Sequence, residues 1–331
     1  MKKLIAIMLV AVLALSMVAC GGSASSTPAS EAVSNVAEAG ASVGVCIYKF
    51  DDNFMTLYRN ALEADLKAMG YEVTIVDGKN DQATQSEQVD TFISQGVDVL
   101  VMNLVQSTAA STIIDKAKAA DIPVVFINRE PTAEDLSLYE KCCYVGADAR
   151  QSGTFQGEII AETANKGDFN GNGVVDYVMI MGDPENVDAQ YRTEYSIKAL
   201  DDAGLSVNKL FEQRGDWDQA KGQELAANAL TQFGDEVDVI FCNNDAMALG
   251  AAQAITAAGR TVGQDIYLVG VDALEEAVEM VNNGTMTGTV LNDAEGQASQ
   301  AAECVKVFVE GGLCEDDGDK NYTVDYVKVT G

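Results

Sequence analysis

The chain of 331 residues has no histidine, one tryptophan, and only 21 lysine and arginine residues against 51 aspartates and glutamates. Without imidazole no Ser-His-Asp or Cys-His nucleophile pair can be built, nor a zinc site of the usual histidine type. A formal net charge of -30 denies it the basic surface that phosphate backbones require, so nucleic acid is not a partner. The same charge opposes adhesion to anionic lipid. The seven cysteines contain no CxxC spacing, which leaves neither a redox motif nor a zinc ribbon in the local sequence. Past the first twenty residues no apolar run is long enough to cross a bilayer. What is present is a globular composition, 47% hydrophobic and 22% charged, in a length that suggests two domains.

Lys2 and Lys3 precede the apolar stretch Leu4 to Val18, which suits an export signal and is too short to span comfortably. Cys20 follows Ala19 directly. This is the pattern of a bacterial lipoprotein signal over residues 1–19, with Cys20 lipidated and membrane contact made only through the lipid. Residues 20–41, rich in Ala, Ser, Gly and Glu, read as a flexible tether. Of the other cysteines, Cys46 and Cys242 sit in apolar strand-like runs, and Cys142 and Cys143 face opposite ways if extended. Free thiols are expected, with Cys304 and Cys314 the one pairing that export would permit.

From residue 43 the pattern alternates between β-branched runs and amphipathic stretches closed by glycine. Strands are expected at Val43–Tyr48, Tyr71–Val76, Val97–Leu104, Ile122–Ile127, Tyr177–Met181, Val237–Cys242 and Ile266–Val271. Helices are expected at Asn53–Met69, Asp81–Gln95, Thr108–Ala120, Ala189–Ala203, Gln219–Gln232, Ala246–Ala258 and Ala294–Val309. Repeated βα units imply parallel sheets covered on both faces, here two doubly wound α/β lobes. Ligands of such folds bind beyond the C-terminal strand ends.

Those strand-end loops share a chemistry. They read Lys49–Phe54, Asn128–Pro131, Gly182–Asp188 with Arg192, Gly215–Asp218, Asn243–Asp245, Gly270–Ala273 and Val290–Asp293. Carboxylates accept from hydroxyls, amides donate and accept, and Arg offers a fixed fork of donors, which together suit a neutral polyhydroxylated ligand. Phe54 and Trp217, the single tryptophan, offer flat apolar faces for the C–H surface of a sugar ring. Asp and Asn after strands are also ordinary N-caps and turn residues; seven such loops together favour a site. Separately, Asp168, Asn170, Asn172 and Asp176, with Gly173 at the sixth position, match the first nine positions of an EF-hand calcium loop. The twelfth position would be Met179, so a carboxylate from elsewhere is required.

The blocks Tyr48–Met55, Asn243–Gly250, Gly270–Leu274 and Gly288–Ala294, with the Asp168–Asp176 loop, resemble the bacterial galactose/glucose-binding proteins from about residue 43 to near the C-terminus. The resemblance implies a periplasmic-binding-protein fold of type I with three hinge crossings. The N-terminal lobe would comprise 42–147 plus about 293–320, the C-terminal lobe 148–292 plus the C-terminal end. It implies a monomeric receptor that passes D-glucose or D-galactose to an ABC permease and, in some species, to a chemoreceptor. Sugar contacts carried over by motif are Asp52, Phe54, Asn128, Asp188, Arg192, Trp217, Asn244, Asp272 and Asn292, with Phe54 and Trp217 sandwiching the pyranose. Asp52 would accept from the C4 hydroxyl; Asp188 and Arg192 would hold the anomeric side and ring oxygen. A structural Ca2+ would be held by Asp168, Asn170, Asn172, the Val174 carbonyl, Asp176 and Asp238. Two departures stand out. Asn186 replaces a family histidine at the sugar, and Asp238 replaces a glutamate and is one CH2 shorter. Because Asn186 does not titrate, sugar binding is expected to stay nearly flat from about pH 5 to 8.

The expected function is thus non-catalytic sugar reception. A receptor for another sugar, such as a pentose, is the alternative. A secreted glycosidase is disfavoured because neighbouring Arg and Asn keep carboxylates ionised, whereas that reaction needs a raised acid. A sugar-responsive transcription factor is disfavoured by an export signal in the place of a helix-turn-helix.

Overall fold

The computed structural model describes residues 40–315 and 320–331; the signal, most of the tether and Cys20 lie outside the described residues. Strands β1 to β12 and helices α1 to α10 are numbered in chain order. The first sheet has the order β11-β5-β4-β3-β1-β2. Its strands are β1 (Ser42–Ile47), β2 (Glu72–Asp77), β3 (Val99–Met102), β4 (Val124–Ile127), β5 (Cys142–Gly146) and β11 (Asn321–Thr323). The second has the order β12-β10-β9-β8-β6-β7. It comprises β6 (Val175–Met181), β7 (Val207–Arg214), β8 (Val239–Cys242), β9 (Tyr267–Val269), β10 (Gly288–Leu291) and β12 (Val327–Thr330).

Helices α1 (Asn53–Ala68), α2 (Gln82–Gln95), α3 (Ala110–Ala119), α4 (Ala133–Ser137) and α10 (Ala294–Val309) belong to the first lobe. Helices α5 (Ala149–Ala161), α6 (Val187–Asp202), α7 (Gln219–Phe233), α8 (Asp245–Ala257) and α9 (Glu275–Asn282) belong to the second. The central strands of each sheet are buried on both faces. In the first lobe Val45, Val101 and Val125 pack under α1 and α10, while Cys46, Leu100 and Phe126 pack under α2 and α3. The second lobe repeats this with Ile180 and Ile240 on one face and Met179 and Phe241 on the other. Continuous apolar strands are what a two-faced parallel sheet requires.

The chain passes between lobes after β5, after β10 and after β11. The first two crossings enter a helix, which returns the chain to the far end of the sheet. The third has no helix, so β12 enters its sheet from the cleft end and pairs antiparallel with β10. This is the exception to the expected all-parallel sheets.

The expected strands and most helix boundaries are within a few residues of those found, but several elements were not anticipated. Cys142–Gly146 is a fully buried strand, and it does turn Cys142 and Cys143 to opposite faces. Helix α5 was also missed. Its Gly153 and Gly157 interrupt the apolar pattern, yet they let it approach α6 closely: a Cβ on Gly157 would lie 2.2 Å from the Ser196 carbonyl oxygen. Strands β10, β11 and β12 and helix α4 have three to five residues, too few to show a period, and β7 is an eight-residue edge strand whose burial does not alternate. All six described cysteines are free and buried. Among the described residues no helix is long and apolar enough to cross a membrane.

Candidate functional site

The cleft between the lobes holds a small cavity lined by residues from both lobes. Asp52, Phe54 and Asn128 reach it from the first lobe; Asn186, Asp188, Arg192, Trp217, Asn244 and Asp272 from the second; and Asn292 from the second crossing. The structure thus brings all ten residues singled out from sequence into one cavity. It adds Tyr48, Met55 and Arg129.

Local structure explains why these side chains point there. Asp52, Asn186 and Asn244 are the N-caps of α1, α6 and α8, accepting from the backbone N–H groups of Met55 (2.8 Å), Asp188 (3.0 Å) and Met247 (3.0 Å). One oxygen of each holds its helix while the rest of the group lines the cavity, so capping and lining are combined. Asn128 has φ +59°, Trp217 φ +64° and Asp272 φ +121°. Such backbone costs energy for side-chain-bearing residues and is concentrated at this site. Two of these turns are tied down by hydrogen bonds. The Asn128 carbonyl accepts from the Tyr144 hydroxyl at 2.8 Å, and the Asp272 N–H donates to the Val290 carbonyl at 2.8 Å. Gly182 leaves room for the indole, since a Cβ there would come 2.3 Å from Trp217 Cη2.

The charged centre is Arg192, buried at 3% exposure. Its Nη1 donates to the Asn243 carbonyl at 2.8 Å and its Nη2 to the Tyr326 hydroxyl at 3.0 Å. Asp188 and Asp272 each stand 3.9 Å from the guanidinium, beyond hydrogen-bond length. Arg192 Nε is buried and makes no hydrogen bond within the protein. Burial pushes the carboxyls of Asp188 and Asp272 up, against the opposing pull of Arg192. Beneath Asp272, Asp245 is fully buried and accepts from Thr289 Oγ1 (2.7 Å) and Leu274 N–H (2.9 Å). Burial raises its pKa to about 6. Burial thus makes Asp188, Asp272 and Asp245 easier to protonate than ordinary carboxyls, a route to pH dependence that the lack of histidine does not close.

Sequence reading missed the residues that hold the others. The Arg129 guanidinium lies 3.9 Å from the Tyr48 ring centre and donates to the Val105 carbonyl. Tyr48 donates to Asp52. Gln297, on the first turn of α10, donates to Asn292 Oδ1 at 2.6 Å, and Asn292 in turn donates to Asp272 at 3.4 Å. Arg129 adjoins Asn128 in a loop already marked as chemical. Tyr326 and Gln297 carried no signal, because the third crossing and a helix from the other lobe deliver them.

The Asp168–Asp176 loop lies away from the cleft and curls on itself. Asp168 accepts from the N–H groups of Gly171 (2.7 Å) and Gly173 (2.9 Å), both at positive φ. Pairing of β6 with β8 brings Asp238 alongside, where it accepts from the N–H groups of Phe169, Asn170 and Asp176 at 3.0–3.1 Å. The Asn170 amide reaches both Asp176 and Asp238 at 3.2 Å. Burial, with Asp176 adding to it, pushes the Asp238 carboxyl up against the pull of those three N–H groups. No lysine or arginine pairs with Asp168, Asp176 or Asp238 among the described residues. A half-turn of the Asn170 and Asn172 amides would present oxygen in place of nitrogen. With the amides so turned the side-chain donors would all be oxygen and unpaired with any cationic side chain, the kind of set that a hard cation such as Ca2+ takes.

The periplasmic binding protein domain family matches residues 43–312. The D-galactose/methyl-galactoside binding periplasmic protein of Haemophilus influenzae is 39% identical over 274 residues, covering 81% of this chain and 82% of that protein. The ribose import binding protein of Bacillus subtilis is 28% identical over 81% of this chain and 82% of its own length. Among solved structures, an ABC transporter solute binding protein of Bacillus halodurans with bound myo-inositol superposes with a TM-score of 0.78 at 27% identity, covering 89% of this chain and 96% of that one. With two wound lobes, three crossings and a polar cleft already in place, the chain belongs to the periplasmic binding proteins of type I, solute receptors rather than enzymes.

Proposed function

We propose that the protein is an extracytoplasmic receptor that binds D-glucose or D-galactose in the interlobe cleft and delivers it to an ABC permease. The observation that carries this reading is the under-bonded centre of the cavity. Arg192 Nε has no partner, and two carboxylates stand just out of its reach. A polyol closes such a gap: a ring or hydroxyl oxygen accepts from Nε, while hydroxyls donate to Asp188 and Asp272. Hydrogen bonds to charged groups contribute about 1.5–3 kcal/mol each, and each lobe supplies one aromatic face, Phe54 and Trp217. The sum is compatible with micromolar affinity, about -8 kcal/mol.

Calorimetry with a panel of hexoses, pentoses and myo-inositol tests the ligand. Glucose or galactose is expected to bind tightest, and preference for a pentose or inositol would replace this reading with a receptor for that polyol. Trp217→Ala is expected to weaken hexose binding about a hundred-fold, or ~3 kcal/mol. Wild-type affinity in that variant would remove the stacking role.

Calcium at Asp168, Asn170, Asn172, Val174, Asp176 and Asp238 belongs to the same proposal, as a structural clip remote from the sugar. So do monomeric action, a lipid anchor at Cys20 and contact with a chemoreceptor, for which the sequence resemblance and the leader are the support.

A further inference from the structure

The first lobe holds a cluster that sugar binding does not use. Cys143 on β5, Cys304 on α10 and Cys314 just beyond α10 place their sulfurs within 4.8 Å of one another. All three are buried, at no more than 2% exposure, on the face of the sheet that α10 covers. The Cys314 thiol donates to the Cys304 carbonyl at 3.4 Å, which holds the segment after α10 against the helix. Gln300, one helical turn before Cys304, brings its amide to 3.8 Å from the same sulfur. Since amide oxygen and nitrogen exchange by a half-turn, Gln300 can offer an oxygen.

This arrangement meets the demands of one kind of ligand. Around a tetrahedral ion with metal–sulfur bonds of about 2.3 Å, sulfurs stand about 3.8 Å apart, so the three need draw in by at most about 1 Å. Soft thiolates select soft d10 cations over calcium or magnesium. A disulfide would consume two sulfurs and leave the convergence of the third, and of the amide, without a role. We propose that Cys143, Cys304 and Cys314, closed by Gln300, form a structural site for a soft divalent d10 cation of the zinc class. The ion would tie β5, whose end is the first crossing, to the segment after α10 that leads to the third. No spacing rule reveals the site, because Cys143 and Cys304 are 161 positions apart.

The test uses fully reduced, metal-free protein titrated with Cd2+, read by the ultraviolet thiolate-to-cadmium charge-transfer band. An oxygen-only site such as the Asp168 loop does not produce that band. The expected result is saturation at one Cd2+ per chain, displacement by Zn2+, and loss of the band in Cys304→Ser. Cys314→Ser, on an irregular segment, is the second variant should the first not fold, and retained sugar binding reports folding for both. Cys142→Ser, on the opposite face of β5, should keep the band. No band in the reduced wild type overturns the proposal, as does a band that survives in both variants. Recovery of a disulfide among these sulfurs in protein purified with zinc present also overturns it.

Discussion

At the residue scale, the carboxyls below the sugar position set the pH response. A carboxyl whose folded pKa is raised binds its proton more tightly folded than unfolded. Between the ordinary 3.8 and about 6, Asp245 therefore makes the folded state the better proton binder, and stability falls as pH rises through that window. Two units correspond to about 3 kcal/mol for this fully buried group. Asp272 is shifted in the same direction, chiefly by burial. Sugar hydroxyls donate to the ionised form, so binding favours deprotonation, and acidification from pH 7 to 5 should weaken affinity. Calorimetry in two buffers of different ionisation enthalpy should register proton release on binding at the acidic end of that range; equal heats and an unchanged affinity would refute this. Much of the lining was legible because residues after strands carry their chemistry locally, as Asp52 and Asn244 do. What was illegible is the support: Gln297 acts through Asn292, and the backbone strain at Trp217 is imposed by tertiary contacts that no single residue type encodes.

At the element scale, the contact between α5 and α6 aims Arg192. Gly153 faces Arg192 itself, where a Cβ would meet its Cα and carbonyl oxygen at 3.0 Å, and Gly157 faces Ser196 one turn on. Gly157→Ala must push α6 away, and overpacking of this kind costs about 1–3 kcal/mol. We expect a lower melting temperature and about ten-fold weaker sugar binding, measured by thermal unfolding and calorimetry. Unchanged affinity would mean that α6 does not position Arg192. The same contact explains why α5 escaped sequence reading: the glycines that bring two helices together also erase the period that announces a helix. Helices capped by Asp or Asn and closed by glycine, such as α2, were legible nearly to the residue.

At the scale of the molecule, the Asp168–Asp176 loop, proposed above to hold Ca2+, joins β6 to β8 through Asp176 and Asp238. An ion bound only by the folded state stabilises by mass action, about 2.7 kcal/mol at a hundred times its dissociation constant. Chelation should lower the melting temperature by several degrees, and re-addition of Ca2+ should restore it. No shift in chelator would withdraw the ion. Sugar affinity should change little, because the loop lies outside the cleft.

The strand order has a mechanical corollary. All three connections run along one edge of the stacked lobes, where β11 and β5 meet β12 and β10. That edge works like the spine of a book, and the opposite margin, at β2 and β7, is the fore-edge. The turns after those two strands, with Asp77 and Lys79 on one page and Arg214 and Asp216 on the other, line the mouth beside Trp217. Bound on one side only, the halves are tethered at the spine and untied at the opposite margin. A sugar that bridges both pages would set the gap at that margin, so a permease touching the two covers would meet a different outline when the proposed ligand is bound.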